Sequence, residues 1–390
     1  MKLDYTESQQ SFRAQVRRWL ADHVPAQPLA SLDTEAGFAA HRNWERTLKS
    51  GDWGMVTWPE KYGGRGCDLI EWLIFEEEYY RADAPARVSQ NGIFLLGPTL
   101  MEFGSEEQKQ RFLPPMAAGD EIWAQSWSEP NAGSDMAAIR ARATRVSENG
   151  EDYYLLNGQK TWSSRAAFAD WAFGIFRSDA DSSRHLGLSF ILYPLNAPGV
   201  TIRPIQQLDG EVGFAEIFLD DVKVPVSQRL GGEGDGWRIA MATAGFERGL
   251  MLRSPARFQR TAERLLALYR DQQRQLPATV RAEVVRAYLD AEAYCLNTYY
   301  TASRMMLGGR IGAEASANKI FWSELDRAMH RTAMSILGAR AELTGPANLA
   351  PEAGRWLDGY LFSLAGPIYA GSNEIQRNIL AERCLGLPRA

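Results

Sequence analysis

The 390-residue sequence predicts an α+β protein, mainly α, laid out as a helical block, a β block and a second helical block. Three observations predict this. Up to about residue 120, apolar side chains recur at helical spacing. Between about 121 and 230, short β-prone runs follow one another, joined by polar or proline-containing loops. From Trp237 the helical spacing returns. The expected domains are therefore 1–120, 121–230 and 231–390.

Each element has its own signal. Thr6 and Gln9 have the spacing of a capping box, and Phe12, Val16, Trp19 and Leu20 line one face of the helix it opens. Helical spacing over 5–22, 36–50, 69–82 and 105–113 is broken by turn clusters such as PEKYGGRG (59–66). Pro114 and Pro115 are expected to close the block. In YYLLNGQKTW (153–162), Asn157-Gly158 between two β-prone runs predicts a hairpin. Runs 171–178, 187–195, 200–208 and 214–225 complete a compact antiparallel unit, a barrel or sandwich. Next come one helix from 237 to about 270, two more at 279–307 and 313–341, and a last helix opened by Asn373 and Gln376. Their short connections favour antiparallel neighbours in a bundle. The glycine-rich RLGGEGDGW (229–237) lacks the terminal Lys-Ser/Thr of a phosphate loop and reads as a strand-to-helix linker.

Composition narrows the function. A net charge of −5 without a basic tail argues against nucleic acid as the main partner. No apolar run approaches the roughly 20 residues that span a bilayer. The opening helix leaves no room for a transit peptide, and the cysteine usage fits a reducing cytoplasm. Cys67, Cys295 and Cys384 are far apart, and His23, His41, His185 and His330 show no ligand spacing, so no metal site is expected.

Four segments carry chemistry. QSWSEPNAGSD (125–135) offers Gln125, Trp127, Ser128 and Ser134, with Gly133 allowing close backbone approach to a ligand. NGQKTWSSRAAFADW (157–171) offers Trp162 and Ser164; without other context these read as a buried strand tryptophan and a solvated loop hydroxyl. GFERG (245–249) places Glu247 and Arg248 in a stretch kept slim by Ala240, Ala244, Gly245 and Gly249. PIYAGSNEIQRN (367–378) sets Ala370, Gly371, Ser372 and Glu374 at a helix start, where backbone amides suit an anionic or carbonyl oxygen.

Together with WPEKYGGRG (58–66), DDVKVP (220–225) and TESQQSFRAQVRRWL (6–20), these segments resemble the acyl-CoA dehydrogenase family nearly end to end. The resemblance implies an N-terminal helical domain, a middle antiparallel β-barrel or sandwich that contacts flavin, and a C-terminal four-helix bundle. It implies FAD as cofactor, contacted by Gln125, Trp127, Ser128, Gly133, Ser134, Trp162, Ser164, Gly371, Ser372 and Glu374. It also implies α,β-dehydrogenation of an acyl-CoA to the trans-2-enoyl-CoA in lipid β-oxidation, with electrons passing to an electron-transfer flavoprotein. In the family the base sits after Ile-Tyr near the C-terminus or in a Glu-Arg pair on a long helix. Ala370 cannot accept a proton, which assigns the base to Glu247, beside Arg248, and leaves Ala370 its backbone amide for the thioester oxygen.

Two stretches depart from the family pattern. LYRDQQRQLPATVRAE (268–283) lacks the Arg-x-x-Phe-Gly motif that reaches a neighbouring subunit's FAD, with Arg270 and Arg274 the candidate substitutes. SILGAR (335–340) carries Ser335 and Ala339 where Gln-x-x-Gly-Gly is usual. Both departures resemble a bacterial subclass that includes pimeloyl-CoA dehydrogenase large subunits and steroid side-chain dehydrogenases. A homo-oligomer, dimer or tetramer, and a heterotetramer with a related subunit both remain open. The rival activities are a flavin oxidase or monooxygenase of the same fold and a non-catalytic partner subunit.

Overall fold

The computed structural model describes residues 4–247, 254–271, 276–309, 311–345 and 350–388. Two compact units cut across chain order. One comprises His23–Cys67 and Pro85–Glu247; the other comprises Met1–Asp22, Asp68–Ala84 and Arg248–Ala390.

The first unit is built on one mixed sheet. Its strands are β1 (Trp123–Ser126), β2 (Arg142–Glu148), β3 (Glu151–Ser164), β4 (Trp171–Arg177), β5 (Leu188–Pro194), β6 (Val200–Ile205), β7 (Phe214–Pro225) and β8 (Arg229–Leu230). The order is β6-β7-β3-β2-β4-β5-β8, with β1 added beside β4. The expected antiparallel pairing holds for β2–β3, β3–β7, β4–β5, β5–β8 and β6–β7. It fails where β1 and β2 each meet β4 in parallel. β4 and β5 are almost continuously buried, as strands covered on both faces must be. Helix α6 (Gly236–Glu247) packs on them.

The hairpin is not where the strongest dipeptide signal lies. Asn157-Gly158 sits inside β3, at a register irregularity opposite β7. Gly158 has φ +138, and a Cβ there would stand 2.7 Å from that of Ala141. The close approach therefore requires glycine, and Asn157 bonds across to Asp221 instead of turning the chain. The β2–β3 turn is made by Asn149 and Gly150, both at positive φ, as a two-residue hairpin of the primed type demands.

Helices α2 (Glu35–Ser50), α4 (Gly97–Phe103) and α5 (Glu106–Ala118) belong to the same unit. Pro114 and Pro115 do not end α5, which runs to a left-handed Gly119. Burial of Phe112, Leu113, Met116 and Ala117 outweighs the proline penalty of about 3 kcal/mol each. The glycine-rich stretch is the expected linker: Asp235 accepts the Gly232 N–H and its carbonyl takes the Ile239 N–H of α6.

The second unit holds α3 (Leu69–Arg81), α7 (Pro255–Arg270), α8 (Ala278–Met306), α9 (Ala315–Leu337), α10 (Arg355–Ser363) and α11 (Asn373–Ile379). Phe258, Tyr294, Trp322, Met329, Ile336 and Trp356 pack in its core. The expected single helix over 237–270 is broken. Ser254 is extended and caps α7 through the Ala256 N–H, and Pro255 is its first residue. Helical geometry is disfavoured for the residue before a proline, and Ser254, with ψ at 133, has left it, so α7 starts afresh at Pro255. The helix α1 (Glu7–His23) opens with the expected capping box, Thr6 and Gln9 bonding reciprocally at 3.2 and 3.0 Å. At the other end of the chain, Ser372 caps α11, while Asn373 turns its side chain inward.

Among the described residues no helix is long and apolar enough to cross a membrane, and no cluster of metal ligands occurs. His41 and His330 are buried on backbone carbonyls, His41 on those of Ala86 and Ala30, His330 on that of Asp326.

Candidate functional site

The sequence-predicted site residues divide between the two units. In the β unit, Gln125 lies in β1 opposite Phe173 and is half-buried. Trp127 is buried edge-on against Phe173 and Phe190, and its indole Nε1 has no hydrogen-bond partner among the described residues. Ser128 is half-buried, and its carbonyl accepts the Thr161 N–H at 2.9 Å. That bond brings the 125–135 loop beside the end of β3. Gly133 and Ser134 are exposed, and none of the described residues lies within 4 Å of where a Gly133 Cβ would stand.

Trp162 overturns its buried-strand reading. Its side chain is 59% exposed and its φ is +57, in a bulge where the β3–β7 register shifts between Lys160 and Ser163. A left-handed backbone at a bulky aromatic costs about 1–2 kcal/mol. Phe214 braces the ring edge-on at 6.0 Å. Ser163 is buried, its Oγ unpartnered among the described residues, and Ser164 is a half-buried strand residue, not a solvated loop hydroxyl. An exposed indole, flanked by exposed and half-buried serines and two orphaned buried polar groups, fits a planar ligand with hydrogen-bonding edges.

Sequence reasoning missed what lies beneath. Lys160 is fully buried and donates to Glu129 Oε1 (2.8 Å), the Ile175 carbonyl (2.7 Å) and the Trp127 carbonyl (3.4 Å). Burial pulls its pKa below the usual lysine value, against the opposing pull of Glu129. The signal was present: Tyr154, Leu156 and Lys160 share one strand parity, which puts a lysine on the core face.

Glu247 is the last residue of α6, and its side chain lies outside the described residues, as do Arg248 and Gly249. Ala240 is buried, and Gly245 has open space around its Cβ position. One turn before Glu247, Thr243 shares a buried hydrogen bond of 2.8 Å with Thr99 of α4. Before α4 the chain makes a π-helical turn, Asn91–Leu96, a form often found at functional sites. This turn falls in the apolar stretch SQNGIFLLGPTLM (89–101).

In the bundle unit, Ala370 is half-buried at φ +58 and is followed by Gly371 at φ +73. The Ala370 N–H donates no hydrogen bond among the described residues. The turn is clamped from below. Gln376 Nε2 donates to the Ala370 and Gly371 carbonyls, at 3.1 and 3.2 Å. Lys319, buried in α9, donates to the Gly366 carbonyl and to Asn373 Oδ1, each at 2.9 Å. Ser323 and Glu324 complete the hold on the Asn373 side chain. Glu374 is exposed; its own backbone amide and the Ser372 hydroxyl hold its carboxylate below the usual range. Of the substitute arginines, Arg270 is exposed at the end of α7 and Arg274 lies outside the described residues. Ser335 is exposed and bonds back to the Arg331 carbonyl, and Ala339 is exposed in the turn after α9.

Comparison with known proteins covers almost the whole chain. Models of the acyl-CoA dehydrogenase N-terminal, middle and C-terminal domains match residues 6–120, 124–222 and 234–385. The chain is 39% identical to acyl-CoA dehydrogenase IpdE1 of Mycolicibacterium smegmatis, over 97% of its length and 98% of the relative. Two solved structures superpose with a TM-score of 0.87 over all of both chains. They are the ChsE4-ChsE5 complex from Mycobacterium tuberculosis, at 30% identity, and the Tcur3481-Tcur3483 steroid ACAD, at 28%.

Proposed function

The chain belongs to the acyl-CoA dehydrogenase family, and from that membership we propose that it oxidises an acyl-CoA thioester to the trans-2-enoyl-CoA with Glu247 as the base. The family cofactor is FAD, which when bound supplies the acceptor for the hydride leaving the β-carbon. The indole of Trp162 and the hydroxyls of Ser128 and Ser164 bind and orient it, with Gln125, Trp127, Gly133 and Ser134 around them. By the same family resemblance Gly371, Ser372 and Glu374 are further cofactor contacts.

One observation carries the assignment of the base. Position 370 holds an alanine on a left-handed backbone whose N–H has no acceptor among the described residues. This residue keeps a donor for the thioester oxygen while offering no proton acceptor. The α-proton then falls to Glu247, assisted by Arg248. A hydrogen bond to the developing enolate oxygen contributes about 3 kcal/mol in a dry site. Substrate that displaces water from a carboxylate also makes it a stronger base.

The acyl group we infer is bulky and alicyclic, an inference supported by the steroid enzyme among the structural neighbours. Electrons leave to an electron-transfer flavoprotein, in a bacterial cytoplasm. A second chain, identical or related, completes the assembly. Exposed Leu289, Leu296 and Tyr300 along α8 support such a partner, as does the heteromeric ChsE4-ChsE5 neighbour.

Glu247→Gln tests the mechanism. The variant retains FAD and binds acyl-CoA, yet anaerobic substrate no longer bleaches the flavin band; bleaching at the wild-type rate would move the base elsewhere. Peroxide release by the reduced wild-type enzyme would replace the dehydrogenase reading with an oxidase.

A further inference from the structure

We propose that the buried Lys160–Glu129 pair is the positioning device of the ligand face in the β unit, holding the Ser128 loop and the Trp162 bulge in one register. The inference rests on the flavin reading above and extends it to residues outside the face itself.

The pair joins four stretches of chain. Lys160 stands in β3, Ile175 in β4, and Trp127 and Glu129 in the loop after β1. Glu129 also accepts the Arg140 and Ala141 N–H groups, at 2.6 and 2.9 Å, where the chain enters β2. Both carboxylate oxygens and the ammonium are thus committed to named partners. The cation also lies 4.8 Å from the ring centre of Phe176.

Stability alone does not account for such an arrangement. Two buried charges lose their hydration, and neutral, well-packed replacements are often equally or more stable. Their position relative to the bulge is the better account. A bulge is set by what fixes its two ends. One end of this one is Lys160, tied to the Trp127 and Ile175 carbonyls; the next residue, Thr161, ties to the Ser128 carbonyl. Pairing resumes at Ser163 with Ala215. Trp162, between them, has its left-handed backbone imposed from both sides. The indole and Ser128 are therefore placed relative to each other by contacts that no ligand touches.

The test is Lys160→Met combined with Glu129→Gln, which removes both charges at nearly constant volume. FAD is titrated into the apoprotein of the variant and of wild type, and thermal midpoint, flavin affinity and the shape of the flavin visible band are read. The expected result is a folded variant with a near-wild-type midpoint, an altered visible band and FAD affinity lower by roughly tenfold. Wild-type affinity and band shape in the folded variant would overturn the inference. If the double variant does not fold, Glu129→Gln alone is read the same way, since Lys160 keeps its two carbonyl acceptors. Unchanged flavin binding there overturns it equally. A wild-type chain that takes up no FAD defeats the flavin reading and this inference together. Uptake by wild type with no change in the variants defeats this inference alone.

Discussion

The bulge at Trp162 and the turn at Ala370 are built alike and used differently. Each forces a non-glycine residue to φ near +58, at +57 and +58 respectively, and each sits over a buried lysine. Lys160 is answered by the Glu129 carboxylate, whereas the bonds of Lys319 to Gly366 and Asn373 end on neutral oxygens. The first site presents a large side chain and the second only a backbone amide. Under the proposed function the residue type matters at 162 and the conformation at 370, where alanine would suffice.

Four substitutions sharpen or break this contrast. The largest effect is expected from Ala370→Pro, which deletes the amide and demands φ near −65°. Turnover should fall by about 10²–10³-fold, the cost of one lost oxyanion donor, while FAD remains bound. A fall of less than tenfold in single-turnover reduction would remove the amide from the mechanism. Next is Lys319→Met, which takes the lysine donor from the buried Gly366 carbonyl and leaves Asn373 Oδ1 to Ser323. A loss of about 2–4 kcal/mol in denaturant unfolding is expected, with slower flavin reduction. Unchanged unfolding would mean that the turn holds itself.

Trp162→Ala follows in size. It should weaken FAD by about tenfold with no loss of apoprotein stability, because the strained aromatic is exposed. Equilibrium titration with FAD checks it, and unaltered affinity would place the flavin elsewhere. Smallest is Ala370→Gly, which removes the left-handed penalty of up to about 1 kcal/mol and keeps the amide. The variant should be as active as wild type and slightly more stable in thermal melts.

The same contrast separates what the sequence made legible from what it did not. Helix and strand periods marked most elements within a few residues, because burial of one face fixes the period. Local dipeptide signals were less reliable. Asn157-Gly158 and Asn149-Gly150 look alike in sequence, and only the approach of Ala141 to Gly158 decides which one turns the chain. The Ser254-Pro255 start of α7 was readable and went unread, since apolar spacing continues across it. At the last helix, Ser372 took the cap because Asn373 is drawn inward by Lys319, a contact from far along the chain. The missing carboxylate at Ala370 is visible in the sequence itself. The left-handed backbones at 162 and 370 carried no such mark, because tertiary contacts impose them.

Trp162 has one more consequence. The chain has twelve tryptophans, and among the described residues this is the one whose side chain is exposed. A water-borne quencher such as iodide therefore reaches its emission first, ahead of the half-buried Trp19, Trp171 and Trp237 and the eight buried indoles. The protein carries its own optical gauge of whether that face is open or covered, without any attached dye.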